Sequence, residues 1–338
     1  MKSLIPLLAL ACLLSACSDT EEFSTSKTGL IETRAPSLSV TTTSASVITS
    51  LSATSGGTIG NQGGGNSTSE RGVVYSTTPS PDIDDPKITA GSGAGIFECV
   101  IPANPATTYY VRAYAIKRSS ITYGNEISFT TLAGSDPVTD IDGNVYNTVN
   151  INGKIWMTEN LKTTRYNDGT PIPNVTDNAA WANLRGANDG AYCNYDNNPA
   201  HVDTYGRLYN WHAVNSPHQL APTGWHIPSK AEWDALEAWL ATSAAGKMKE
   251  AGTTHWTAPN TGGTNATMLT ILPAGVRDFT GVFSEINNQT CVWSSSLAVG
   301  WAYYRHLKYN SALCDWGISG NDLEVYKSKG LSVRCVKN

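Results

Sequence analysis

All ten tryptophans of the chain fall between Trp156 and Trp316, and the first 155 residues hold none. Side chains that large set the packing of whatever core contains them. The chain therefore reads as two unlike pieces, and 338 residues suit two domains at roughly 100–200 residues each. Charge is scarce: 15% of residues are Asp, Glu, Lys or Arg, against about 25% in an ordinary soluble domain. Ser, Thr, Asn and Gly must then supply the polar surface, as in secreted β-rich proteins. The 40% apolar content excludes a disordered tail, the net charge of −5 excludes a general nucleic-acid binder, and 30 Gly with 16 Pro exclude a coiled coil.

Lys2 precedes an apolar run from Leu4 to Leu14. At about 11 residues it is too short for a mature membrane span and reads as the core of a signal peptide. The following Leu14-Ser15-Ala16-Cys17 resembles the bacterial lipobox, which implies cleavage before Cys17 and acylation of its thiol. Two or more acyl chains give stable anchoring where one is marginal. Removal of residues 1–16 leaves 22 basic against 28 acidic residues, a net charge of −6. Ser18-Asp19-Thr20-Glu21-Glu22 resembles the signal that exports Bacteroidetes lipoproteins to the outer cell surface; a solvated tether is the other reading. The expected location is the outer membrane, at the cell surface, with residues 17–35 as a flexible tether. Of seven cysteines, Cys12 leaves with the signal and Cys99 is alone in its region. Cys193, Cys291, Cys314 and Cys335 allow three disulfide pairings, which stay open.

Residues 36–133 carry short alternating or clustered apolar runs such as Val47-Thr49-Leu51, Gly72-Val73-Val74-Tyr75, Gly95 to Ile101 and Thr108 to Ala115. Runs at this spacing predict an all-β immunoglobulin-like sandwich. Gly56 to Gly65, with six Gly in ten positions, reads as a floppy loop, and it lacks the Lys and following helix of a phosphate loop. Pro105 to Ala113 and Ser128-Phe129-Thr130-Thr131 resemble late strands of fibronectin type III domains, which implies a spacer or adhesive module.

Residues 137–338 open with Asp142-Gly143 and Asn152-Gly153, tight-turn dipeptides flanking short strands. Asp140, Asp142 and Asn144 evoke calcium, but Gly and Glu do not stand where an EF-hand loop needs them, and a turn is the better reading. Ser229 and Glu232 form a capping box, followed by Trp233, Leu236 and Leu240 on one helix face. Asp234 and Glu237 lie on the other side, as a solvated polar face. A shorter helix is expected from Asp177 or Asn178 to Leu184, so the class is α+β with much loop.

Six motifs then occur in order: Asp142-Gly143-Asn144-Val145-Tyr146, Trp156 to Lys162, Tyr205-Gly206-Arg207-Leu208-Tyr209-Asn210-Trp211, Ala221 to Ser229, Trp293-Ser294-Ser295-Ser296 and Ser332 to Lys337. Together they resemble the Fibrobacter succinogenes major paralogous domain. That family is in turn similar to the formylglycine-generating-enzyme branch of the C-type-lectin-like fold, which implies a lectin-like head. The generating enzyme's closely spaced Cys pair has no counterpart, since Cys291 and Cys314 are far apart in sequence, and no catalytic residue transfers. The calcium tripeptides of sugar-binding C-type lectins do not occur either. His212, His218 and His226 share no helix face and imply no metal site, and no cofactor is implied.

Between Trp293 and Trp316 the chain is dense in aromatics and Arg, as recognition surfaces are. Trp293 and Tyr304 sit in family-like motifs and are expected to pack; Trp301, Tyr303, Tyr309, Asn310 and Trp316 are the expected ligand-binding residues. The expected function is a lipid-anchored envelope protein with a binding or adhesion head for an extracellular glycan or protein, with no nucleic-acid partner. A surface glycan- or protein-processing enzyme and a tip subunit of a surface appendage are the alternatives.

Overall fold

The computed structural model describes residues 38–60, 68–298, 301–317 and 327–338. The signal-like segment, Cys17 and the acidic stretch after it lie outside the described residues. The molecule is mostly β-sheet, and no helix among the described residues is long and apolar enough to cross a membrane.

The N-terminal region contains strands β1 (Val40–Ser46), β2 (Ser52–Ile59), β3 (Glu70–Ser76), β4 (Lys87–Thr89), β5 (Gly95–Pro102), β6 (Thr108–Lys117), β7 (Ser120–Tyr123) and β8 (Ile127–Thr130). They form two sheets, β1-β2-β5 and β4-β3-β6-β7, with β8 also paired to β6. Their inward residues, among them Ala53, Ile59, Val73, Phe97, Ile101, Val111 and Phe129, share one core. Period-two alternation shows plainly in β5, which turns one face to the core, whereas β2, the middle strand of its sheet, is buried on both faces. The glycine-rich stretch corrects the expectation of a loop. Gly56 and Gly57 lie inside β2, where a Cβ on Gly56 would stand 2.0 Å from the Phe97 carbonyl oxygen and one on Gly57 2.6 Å from the Ala113 Cβ. Glycine there permits close backbone approach, its other use within a strand. Residues 61–67 lie outside the described residues.

The C-terminal region adds β9 (Val138–Thr139), β10 (Val145–Tyr146), β11 (Thr148–Ile151) and β12 (Lys154–Met157), then α1 (Asn178–Asn183), β13 (Tyr192–Cys193), α2 (Val202–Tyr205), β14 (Leu208–Tyr209) and α3 (Trp211–Val214). Next come β15 (Trp225–His226), α4 (Lys230–Leu240) and α5 (Ala244–Met248). The chain finishes with β16 (Ala274–Arg277), β17 (Phe283–Ile286), β18 (Gln289–Ala298), β19 (Trp301–Lys308), β20 (Asp315–Gly317) and β21 (Val336–Lys337). Two sheets organise it: β11-β12-β21-β15 and β17-β16-β18-β19-β20.

Both predicted helices form. Asp177 caps α1, and Ser229 and Glu232 cap α4 reciprocally. Helix α4 presses Trp233, Leu236 and Leu240 onto Trp156, Val292, Leu307 and Val336, with the Trp156 and Trp233 rings 4.8 Å apart. Asp140 closes the acidic turn on itself, accepting from the amides of Asp142 and Asn144, from Asn144 Nδ2 and from the Tyr146 hydroxyl.

The motifs scattered over 200 residues meet as one hydrogen-bonded knot. Asn160 donates to the Tyr205 carbonyl and accepts from the buried Arg334 guanidinium, and Trp293 Nε1 donates to the Tyr209 carbonyl at 2.7 Å. Seven of the ten tryptophans, including Trp293, are buried. Their first role is therefore to build the core, where truncating one such residue costs about 3–5 kcal/mol.

The two regions are joined by direct bonds. The β1–β2 turn inserts fully buried Thr49, Ser50 and Ser52; Ser50 N donates to the Asn150 carbonyl, Asn150 N donates to Ser50 Oγ, and Ser52 Oγ donates to the Ala266 carbonyl at 2.7 Å. Val47 and Leu51 pack on the core beneath α4.

Candidate ligand-binding site

An open cleft of about 830 Å3 lies beside α3, lined by Tyr166, Asn188, Asp189, Trp211, Asn215, His218 and neighbours, with Leu297 and Lys327 also on its walls. Behind one of its walls lies Asn210, a fully buried residue just before the helix and not itself part of the lining. Asn210 Oδ1 accepts from the amides of Ala213 and Ala191, both at 3.0 Å, while Nδ2 donates to the Asp189 carbonyl at 2.7 Å. One amide thus caps α3 and fixes the Asp189–Ala191 wall, as expected of an Asn with extended backbone at an N-cap. The neighbouring Gly190 admits the Tyr166 hydroxyl, which a Cβ there would meet at 2.0 Å. The Tyr166–Thr170 turn is tied to the next loop through Asn167 N and the Gln219 carbonyl at 2.7 Å.

At the rim, His218 Nδ1 lies 2.5 Å from Asp168 Oδ2, and its ring stands 5.6 Å from that of Tyr166. The Thr170 amide and His218 hold the exposed Asp168 carboxyl down at about 2. With Nδ1 engaged, Nε2 is the nitrogen left to face a ligand. His212 also lines the cleft, whereas His226 lies elsewhere, between Asn338 and Glu232. Two of the three histidines singled out in the sequence are thus brought together without a shared helix face.

The five expected ligand-binding residues do not line this cleft. Tyr303 and Trp316 come together, rings 5.5 Å apart, on the side of β19 that faces α4. Lys230 Nζ stands 5.6 Å from the Tyr303 ring and 4.9 Å from that of Trp316, and the Arg305 guanidinium stacks 3.9 Å from Trp316. Trp316 Nε1 donates to Asp234 Oδ1 at 2.8 Å. Trp301 is half-buried at the far end of β19, Tyr309 is half-buried against the core beneath α4, and Asn310 is exposed in the loop after β19.

The expectation that Asp234 and Glu237 form a merely solvated face is corrected here. Both pair with Arg305, whose side chain is 1% exposed, so the polar face of α4 neutralises a buried cation brought by β19. Burial would raise the Asp234 carboxyl, but its bonds to Lys230 and Trp316 hold it below the usual range.

None of the cysteines among the described residues is bridged. None of the three open pairings is therefore made: Cys193, Cys314 and the pair Cys291 and Cys335 belong to three different apolar clusters. Burial pushes the thiols of Cys193, Cys291 and Cys314 up to about 12 and that of Cys99 to about 11, so they remain protonated and weakly nucleophilic. Among the described residues no group of three or more His, Cys, Asp or Glu is placed to hold a metal ion.

No curated protein matches the chain. Solved structures similar to it include the sensor domain of the anti-sigma factor RsgI4 in Pseudobacteroides cellulosolvens, 20% identical over 28% of this chain and 95% of that one, with a TM-score of 0.22. A fibronectin type III domain from the human KIAA0970 protein is 17% identical over 29% of this chain and 77% of its own length, with a TM-score of 0.21. Residues 149–337, more than half of the chain, match the Fibrobacter succinogenes major domain, and the protein belongs to that family.

Proposed function

We propose that this chain is a lipid-anchored binding protein of the outer membrane, exposed at the cell surface, whose lectin-like C-terminal head takes an extracellular glycan or protein in the cleft beside α3. The N-terminal region, of fibronectin III or immunoglobulin type in this reading, carries that head above the membrane. The observation that carries the proposal is the cleft itself. It places aromatic rings beside convergent amides, hydroxyls and imidazoles on a wall pre-set by Asn210 and Gly190, the composition of recognition pockets. The aromatic set on β19 and β20 is a weaker candidate, because Lys230, Arg305 and Asp234 already occupy the Tyr303 and Trp316 groups. The lipid anchor is supported by Leu14-Ser15-Ala16-Cys17.

Photo-crosslinking on intact cells tests both parts. A crosslinker at Asn188 or Asn215 of the full chain should give adducts with extracellular material, whereas one at Asn310 should not, and the reverse pattern removes the cleft from consideration. Cys17→Ser should release the protein from the membrane fraction, and a chain that stays membrane-bound after that change has some other anchor.

A further inference from the structure

We infer that the cleft beside α3 recognises a neutral saccharide; this rests on the reading of that cleft as the ligand site. The first argument is charge. Among the lining residues Asp189 supplies one carboxylate and Lys327 one ammonium, a second carboxylate, Asp168, stands at the rim against His218, and the remaining polar lining is amide, hydroxyl and imidazole. An anionic ligand is normally met by Arg forks or several converging cations, and neither lines this cleft among the described residues.

The second is hydrogen-bond type. Each sugar hydroxyl both donates and accepts, and Asn188 and Asn215 each offer an NH2 and a C=O, while the Asp189 carboxylate accepts only. His218, turned by Asp168 at 2.5 Å, adds a direction-fixed ring nitrogen.

Finally, about 830 Å3 falls in the range of roughly 300–1,000 Å3 that encloses small-molecule ligands. The wall's rigidity limits the ordering cost of binding. An extended peptide would instead favour a free strand edge or a groove for alternate side chains.

The test uses the full mature chain on an immobilised panel of neutral oligosaccharides with sialylated and sulfated counterparts, followed by titration calorimetry with the best neutral oligosaccharide. Retention of neutral glycans is expected. Asp189→Ala and Asn215→Ala should each weaken binding by roughly tenfold or more, the loss of one good hydrogen bond, with the melting temperature unchanged because both side chains are exposed. Asn310→Ala should bind as the parent does.

Preference for the sulfated or sialylated glycans overturns the inference, and so does a panel with no neutral glycan retained. A protein partner whose capture is lost in Asp189→Ala would overturn the saccharide while leaving the cleft as the ligand site. Neutral-glycan binding indifferent to both cleft variants would overturn the cleft itself.

Discussion

Asn210 is the residue on which the helix cap and the cleft wall both depend, so its replacement separates a structural wall from an accidental one. Asn210→Ala removes three hydrogen bonds at a site with no solvent exposure. It leaves the amides of Ala191 and Ala213 and the carbonyl of Asp189 without their partner. A net hydrogen bond contributes about 1 kcal/mol and an orphaned buried group costs about 1–3 kcal/mol. Loss of an N-cap alone costs about 1 kcal/mol. Water can enter on the Asp189 side, which is only partly buried, so the expected total is about 3–4 kcal/mol. That is a large share of the roughly 5–15 kcal/mol that holds a domain folded.

Urea denaturation reads the free energy directly, and at about 2–4 °C per kcal/mol for a chain of this size the melting point should fall by roughly 10 °C. Hydrogen exchange adds site resolution: the Ala191 and Ala213 amides should lose protection ahead of those in β18 and β19. A melting point within about 2 °C of the parent's, less than 1 kcal/mol, would refute the claim that this amide sets the wall.

Three further outcomes follow from the same packing. Gly190→Ala should cost about 1–3 kcal/mol by overpacking against the Tyr166 hydroxyl; in a Tyr166→Phe background, which removes that oxygen, the cost should shrink, and a double-mutant cycle in urea measures the coupling. Burial would raise the Glu232 carboxyl, but the Ser229 amide, His226 and Lys154 hold it at about 2, below its usual 4.5. Because the folded value is the lower one, this stabilisation is complete above about pH 4.5 and is lost as pH falls towards 2; Glu232→Gln should lower the urea midpoint at pH 7 and flatten its decline through that window. The folded chain should show negligible labelling of Cys99, Cys193, Cys291 and Cys335 by a thiol reagent at pH 7, with all four reacting in urea and no change in melting temperature on adding reductant; fast labelling in the native state would contradict their burial.

What the sequence made legible is what each element decides within itself. The capping box of α4 needs only Ser229 and Glu232 three positions apart, and Trp233, Leu236 and Leu240 declare one apolar face by spacing alone. The same helix shows where such reading stops. Asp234 and Glu237 look solvated on a helical projection, because nothing local says that β19, some 70 residues later, delivers Arg305 against them. Gly56 and Gly57 fail for a related reason: glycine serves both a floppy loop and a strand pressed against another backbone, and only the partner strand at Phe97 distinguishes the two.

The cleft is the extreme case. Its walls come from Tyr166, Asn188 to Gly190, Trp211 to His218, Leu297 and Lys327, stretches with no shared period and no motif chemistry. One signal was nonetheless present. Asn210 directly precedes Trp211-His212-Ala213, the position of an N-cap before a short helix, and it lies in one of the six motifs, Tyr205 to Trp211. In this chain much of the dense aromatic run packs into the core, and the proposed ligand cleft is outlined by the Asn210 cap and by Gly190. Polar residues whose hydrogen bonds tie together distant loops are therefore better guides to this cleft than the aromatic residues counted along the chain.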